Sequence, residues 1–139
     1  MPTFHLDIVS PDREFFDGDV EEIIFPVSNG YTSDGYMGVL AGHEPMVCPI
    51  GIGVLRIKQN GQWRDAAISG GFIEIRPQTV TILSDTVEWP EEIDARRAEA
   101  ARRRAEERLR QRLSQEEYLR SQAALARALT RLRISNRKV

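Results

Sequence analysis

The sequence predicts an antiparallel all-β domain, a sandwich or flattened barrel, followed by an α-helical antiparallel hairpin. Three observations carry this. Up to Pro90 the chain is a run of short segments that alternate apolar and polar residues, each closed by turn residues. Beyond Pro90 it turns rich in alanine, glutamate and arginine, and only Tyr118 remains of the aromatic residues. The charge divides at the same place: residues 1–90 hold five basic and thirteen acidic side chains, whereas residues 91–139 hold fourteen basic and eight acidic. A net charge of −2 therefore hides an acidic part of −8 and a basic part of +6. So abrupt a change marks a domain boundary near Trp89-Pro90, with a β domain over 1–88 and a helical hairpin over 89–139.

The strands follow in order. "TFHLDIV" sets Phe4, Leu6 and Ile8 against His5 and Asp7, the period of a half-buried strand. "VEEIIFPV", "GVLRIK", "WRDAAIS", "GFIEIR" and "TVTILSD" are rich in β-branched and aromatic residues. Asn60-Gly61 sits between two of them and predicts a two-residue hairpin turn, since both residues tolerate positive φ. Pro11-Asp12, Gly70-Gly71 and Pro77-Gln78 punctuate the other junctions. The connection "SNGYTSDGYMGVLAGHEP" carries no clear strand signal.

Pro90 suits the first turn of a helix, where its missing N–H costs nothing. Glu91, Glu92 and Asp94 place negative charge at the positive end of that helix. Its apolar stripe runs Ala98, Ala101, Ala105, Leu109, Leu113. Ser114-Gln-Glu-Glu117 fits a capping box and opens a second helix, with the break near 113–114. That helix is expected to turn Tyr118, Gln122, Leu125, Leu129 and Leu132 to one face. Two helices joined this way fold back as an antiparallel pair, and the alanines allow close approach. The stripe is thin, so the hairpin needs a surface to lean on.

Composition excludes several classes of function. No apolar run reaches the roughly 20 residues that cross a bilayer, and the N-terminus lacks the pattern of a signal peptide, so the chain is expected in the cytoplasm. The single Cys48 rules out an internal disulfide and reads as a small core hydrophobe. Two histidines without clustered cysteines make no metal site, and Gly42-His43 reads as a turn with a structurally satisfied histidine. Neither a nucleophile motif nor a glycine-rich phosphate loop is present, so no catalysis is expected.

Eight arginines lie between Arg96 and Arg112. Glu92–Arg96, Glu99–Arg103 and Glu106–Arg110 are spaced as helical ion pairs, which makes most of this face a solvated, paired surface. Nucleic-acid binding is disfavoured, because no aromatic side chain accompanies the arginines of residues 91–113 and the other domain is acidic. A subset differs. Asp94, Arg97 and Arg104 share one helix face, and Arg127 and Arg131 are an i, i+4 pair with no acidic residue after Glu117. Folding the hairpin at 113–114 brings these four arginines to similar heights at its open end, opposite one carboxylate. Left empty, such a cluster repels itself; a triphosphate would satisfy it.

The stretches "FHLDIVSPDREFFDGDVEEIIFPV", "GVLAGHEPMV", "GIGVLRI", "ISGGFIEIRPQTVTILSDT", "EEIDARRAEAA" and "YLRSQAALARALTRLR" resemble the epsilon subunit family of the F-type ATP synthase along nearly the whole chain. The resemblance implies a ten-stranded β-sandwich that binds the gamma subunit and touches the rotor c-ring. It implies a C-terminal hairpin that either folds onto the sandwich or extends into the alpha/beta catalytic head and blocks ATP hydrolysis. The chain would then be a non-catalytic rotor subunit, peripheral on the cytoplasmic face of the bacterial plasma membrane. Many bacterial members carry a regulatory ATP motif, Ile/Leu-Asp-x-x-Arg-Ala, matched by Ile93-Asp94-Ala95-Arg96-Arg97-Ala98. The resemblance extends this site to Glu88, Arg104, Arg127 and Arg131, with ATP, alone or with magnesium, as a regulatory ligand rather than a required cofactor. Arg96, Arg102 and Arg103 would be the solvated arginines. Three departures bear on the ring contact: a long Asn29–Asp34 connection, Tyr36-Met37 in place of a more polar pair, and Ala41 where proline is common before Gly-His. The second reading is a stand-alone ATP-sensing module.

Overall fold

Alternation of apolar and polar residues forces each N-terminal segment to bury one face, and two sheets packed together satisfy them all. The computed structural model describes residues 2–136. Among these are ten strands: β1 Phe4–Ser10, β2 Arg13–Val20, β3 Glu22–Ser28, β4 Ser33–Leu40, β5 Met46–Pro49, β6 Ile52–Gln59, β7 Gln62–Ser69, β8 Phe72–Ile75, β9 Thr79–Leu83 and β10 Thr86–Glu88. One sheet has the order β2-β1-β9-β8-β5 and the other β10-β7-β6-β3-β4. Leu6, Ile8, Ile23, Phe25, Leu55, Ile57, Ile73 and Ile82 fill the space between them and are fully buried. Cys48 joins this core, where burial pushes its thiol pKa up.

The Asn60-Gly61 turn forms as expected, with φ of 54° and 75° between β6 and β7. Gly71 is obligatory at its own turn: φ is +109°, and a Cβ there would overlap the backbone of Leu83 and Ser84. Two expectations are corrected. The segment expected to lack strand character contains β4, an edge strand paired to β3. Its signal is weak because Gly35 and Gly38 interrupt it and only Val39 of its eight residues is buried, with Met37 partly buried against the core. The sandwich is also not wholly antiparallel, since β1 pairs with β9 in parallel, His5 opposite Thr79 and Ile8 opposite Ile82.

Beyond β10 the chain does not enter a helix directly. Pro90–Glu92 forms a single 3-10 turn, Ile93 returns to an extended conformation, and α1 runs Ala95–Leu109. The second helix, α2, runs Gln115–Ser135 and opens at Ser114, whose hydroxyl oxygen accepts the Glu117 N–H at 3.1 Å. Its buried face is not the expected one. Tyr118 and Leu129 are exposed, and α2 instead buries Ser121, Ala123, Ala128, Thr130 and Ile134. Small residues let α2 lie close to both α1 and the sheet, which outweighs burying a more apolar but bulkier stripe. Ile134 packs with Val54 of β6, Ala67 of β7 and Ile93 in a cluster separate from the main core. This cover explains why four consecutive residues, Ile52–Leu55, are buried: β6 has protein on both faces. On the other sheet Val47, Phe72 and Leu83 are left exposed.

Candidate functional site

Glu88 ends the last strand, Ile93 and Asp94 follow the 3-10 turn, Arg97, Ala98 and Arg104 lie on α1, and Arg131 lies on α2. These seven residues line one cleft of about 360 Å³, together with Glu92 and Ala101. Arg127, the eighth residue expected, lies one helical turn nearer the bend and lines the two adjoining clefts.

Each side chain is held for a local reason. One Asp94 carboxylate oxygen accepts the Arg97 N–H at 3.1 Å and so caps α1, a structural duty the spacing did not reveal. Glu88 accepts from Arg131 Nε at 2.6 Å, tying α2 to the end of β10. The wall opposite is fixed by Arg13, whose two terminal nitrogens grip both Glu92 oxygens at 2.5 and 2.8 Å. That pair holds the Glu92 carboxyl below the usual carboxylate range, and Glu92 also accepts the Trp89 N–H. Trp89 itself stacks on Phe15, with ring centroids 4.3 Å apart, and carries Arg64 on its face.

Three arginines and three carboxylates line the cleft, but Glu92 is taken by Arg13 and Glu88 by Arg131. Among the described residues no ion pair reaches Arg97, Arg104 or Arg127. Burial, and then the neighbouring Arg131, push the Arg127 pKa down, although an arginine stays charged even so. The cleft thus presents guanidinium groups with unused donors, one free carboxylate oxygen on Asp94, and a small, open floor at Ala98 and Ala101. These unused donors and the single acceptor are complementary in chemistry to an anion with several oxygens and a hydrogen-bonding head group.

The arginines set aside as solvated do differ from these. Arg103 is exposed and pairs with Glu99 at 3.3 Å. Arg102 is less exposed, clamped between Glu99 and Glu106 with its pKa raised by both. The Glu92–Arg96 and Glu106–Arg110 pairs expected from spacing do not form; Glu92 turns to Arg13, Glu106 to Arg102, and Arg110 takes Glu107 instead. Sequence reasoning missed Arg13 and Glu92, which meet only through tertiary folding. It also missed Arg108 and Arg120 beside Arg127. At Gly42-His43, Gly42 donates its N–H to the Pro77 carbonyl and the His43 ring contacts the Glu44 carbonyl at 2.8 Å, as the turn reading expected.

The models of two successive domains match the chain: the "ATP synthase, Delta/Epsilon chain, beta-sandwich domain" over residues 3–90 and the "long alpha-helix domain" of the same chain over 91–136. The chain belongs to the ATP synthase delta/epsilon family. It is 53% identical to the ATP synthase epsilon chain of Caldanaerobacter subterraneus subsp. tengcongensis, covering 97% of this chain and 95% of that one. It is 52% identical to the epsilon chain of Ruminiclostridium cellulolyticum, covering 99% of each. Among solved structures it is similar to a chain of the Euglena gracilis mitochondrial ATP synthase OSCP/F1/c-ring assembly, with a TM-score of 0.75 and 26% identity, covering 91% of this chain and 78% of that one. Membership makes it an epsilon-type subunit of ATP synthase, not an enzyme by itself. No helix among the described residues is long and apolar enough to cross a membrane.

Proposed function

We propose that this chain is a rotor subunit of a proton-translocating F-type ATP synthase, peripheral on the cytoplasmic face of the bacterial membrane, whose hairpin restrains ATP hydrolysis and is itself governed by ATP. One observation carries the reading: the arginine-lined cleft takes residues from the end of β10, from α1 and from α2. It is therefore complete only while the hairpin is closed and docked. A ligand in the cleft binds the docked state and not the extended one, and stabilises docking in proportion to ln(1 + [L]/Kd). ATP fits this chemistry: the triphosphate takes Arg97, Arg104, Arg127 and Arg131, and the base takes the free oxygen of Asp94 beside Ile93. When ATP is scarce the cleft empties, the arginines repel one another, and the hairpin is freed to reach the alpha/beta head.

The sandwich supplies the remaining contacts. On the β2-β1-β9-β8-β5 sheet, Val47, Phe72 and Leu83 are 67%, 59% and 58% exposed on the adjacent strands β5, β8 and β9. Phe72 and Leu83 face each other across the register. We assign this patch to the gamma subunit, since a contiguous apolar surface of this kind marks a permanent interface. The loop between β3 and β4, with Tyr31 half exposed, is the assigned contact with the c-ring. Tyr36 is less available to the ring than its position suggests, because its hydroxyl accepts the Val54 N–H at 3.3 Å.

The test is deletion of residues 91–139 within the whole ATP synthase. The complex should assemble and hydrolyse ATP faster at low ATP than the intact one. Equal rates across low and high ATP would contradict the restraint.

A further inference from the structure

The arginine cleft does not stop at Arg104. Ala101 and Arg104 also line a second groove of about 490 Å³, which continues between α1 and α2 toward the bend. Its walls carry Arg104 and Arg108 from α1 and Arg120 and Arg127 from α2, against the single carboxylate of Glu117. The floor is small, with Ala105 and Ser121 buried, so a slender ligand can lie deep between the helices. From Arg97 to Arg108 the two clefts together span about 16 Å of helix. A triphosphate tail is too short to engage both ends.

We infer that the joined clefts form a track for linear oligophosphates longer than three phosphates, with Arg108 and Arg120 holding the distal end. The inference builds on the anion cleft proposed above, but the residues that decide it are its own. Arg127 sits at the junction, partly desolvated and without an ion pair among the described residues. Arg108 and Arg120 are engaged only by exposed carboxylates, Glu117 at 3.4 Å and Glu116 at 2.6 Å. Such pairs exchange readily for a phosphate, which offers several acceptors to each guanidinium.

Calorimetric titration of the full chain at physiological ionic strength, with pyrophosphate, tripolyphosphate, tetrapolyphosphate and hexapolyphosphate, tests this. Affinity should go on rising past tripolyphosphate, and an Arg108→Gln/Arg120→Gln variant should lose that rise, weakening hexapolyphosphate by roughly tenfold or more. The same variant should keep its ATP affinity within a few-fold. A matched Arg103→Gln/Arg110→Gln variant, altered away from the groove, should bind like the parent, and circular dichroism checks that both variants keep their helices. A plateau at tripolyphosphate in the parent, or equal losses in the two variants, would overturn the inference, the second by showing diffuse charge attraction. Absence of ATP binding by the parent chain, with its oligophosphate rise intact, would refute the ATP reading alone.

Discussion

Ile134→Ala should undock the hairpin while leaving the sandwich folded. Ile134 is wholly buried, and it is the only large apolar side chain that α2 commits to the cluster of Val54, Ala67 and Ile93. Truncating a buried isoleucine to alanine costs about 2–5 kcal/mol, and a helix free to shift relaxes some of the cavity, so about 2–4 kcal/mol is expected. The docked-to-undocked ratio should therefore fall by roughly 30- to 1,000-fold. Amide hydrogen exchange reads both parts at once. Amides of α2 should lose protection by that factor, while those beside Leu6, Ile8 and Phe25, which belong to the separate main core, should not change. On the proposed reading, in which ATP binds only the docked form, ATP should restore part of the protection. If the sandwich core lost protection in step with α2, the two would be one cooperative unit and the reasoning would be wrong; unchanged α2 protection would equally refute it.

Other outcomes follow from the same geometry. Arg131→Ala should weaken ATP binding by about 1.5–3 kcal/mol, whereas Arg103→Ala, on the exposed face, should change it little; equal losses in calorimetry would dissolve the site into general charge attraction. Asp94→Ala removes the α1 cap, at about 1 kcal/mol of helix stability, and should narrow the gap between ATP and tripolyphosphate affinities. His5 bridges Asp19 and Asp17, which raise its pKa above 6.5. Its contribution to the β1–β2 edge is thus complete below pH 6.5 and fades as pH rises through the raised value; an NMR titration placing His5 at or below 6.5 would contradict it. Glu92 has the opposite sign, since Arg13 depresses it from 4.5: its contribution holds above that pH and is lost as pH falls through the depressed value. Arg13→Gln should abolish this acid-side loss in a stability–pH profile.

The sandwich was legible wherever one face of a strand meets water, as in β1, where Leu6 and Ile8 alternate with His5 and Asp7. Legibility failed for β4, whose glycines and edge position leave little side-chain pattern, and for the parallel pairing of β1 with β9, which no local signal encodes. On α2 hydropathy misled, because it ranks Tyr118 and Leu129 above Ser121 and Ala128 although close helix packing favours the small residues. The arginine cluster could be read from spacing, since helical geometry is regular. The Arg13–Glu92 clasp could not, because its partners lie 79 residues apart in sequence. Glu88 entered only through resemblance, and its bond to Arg131 needed the fold.

The parallel pairing of β1 with β9 has a consequence for synthesis. Four strand pairs, β1-β2, β3-β4, β6-β7 and β8-β9, join neighbours in sequence and can zip up as they leave the ribosome. In contrast, β1 must wait, with its β9-facing edge unpaired, until Thr79–Leu83 emerges, because β9 is what links β1 and β2 to the rest of their sheet. Closing so long a loop is slow, and an open edge invites pairing with another nascent chain. The sandwich can therefore close only after most of its length is translated, and the hairpin, emerging last, finds the β6–β7 surface already formed.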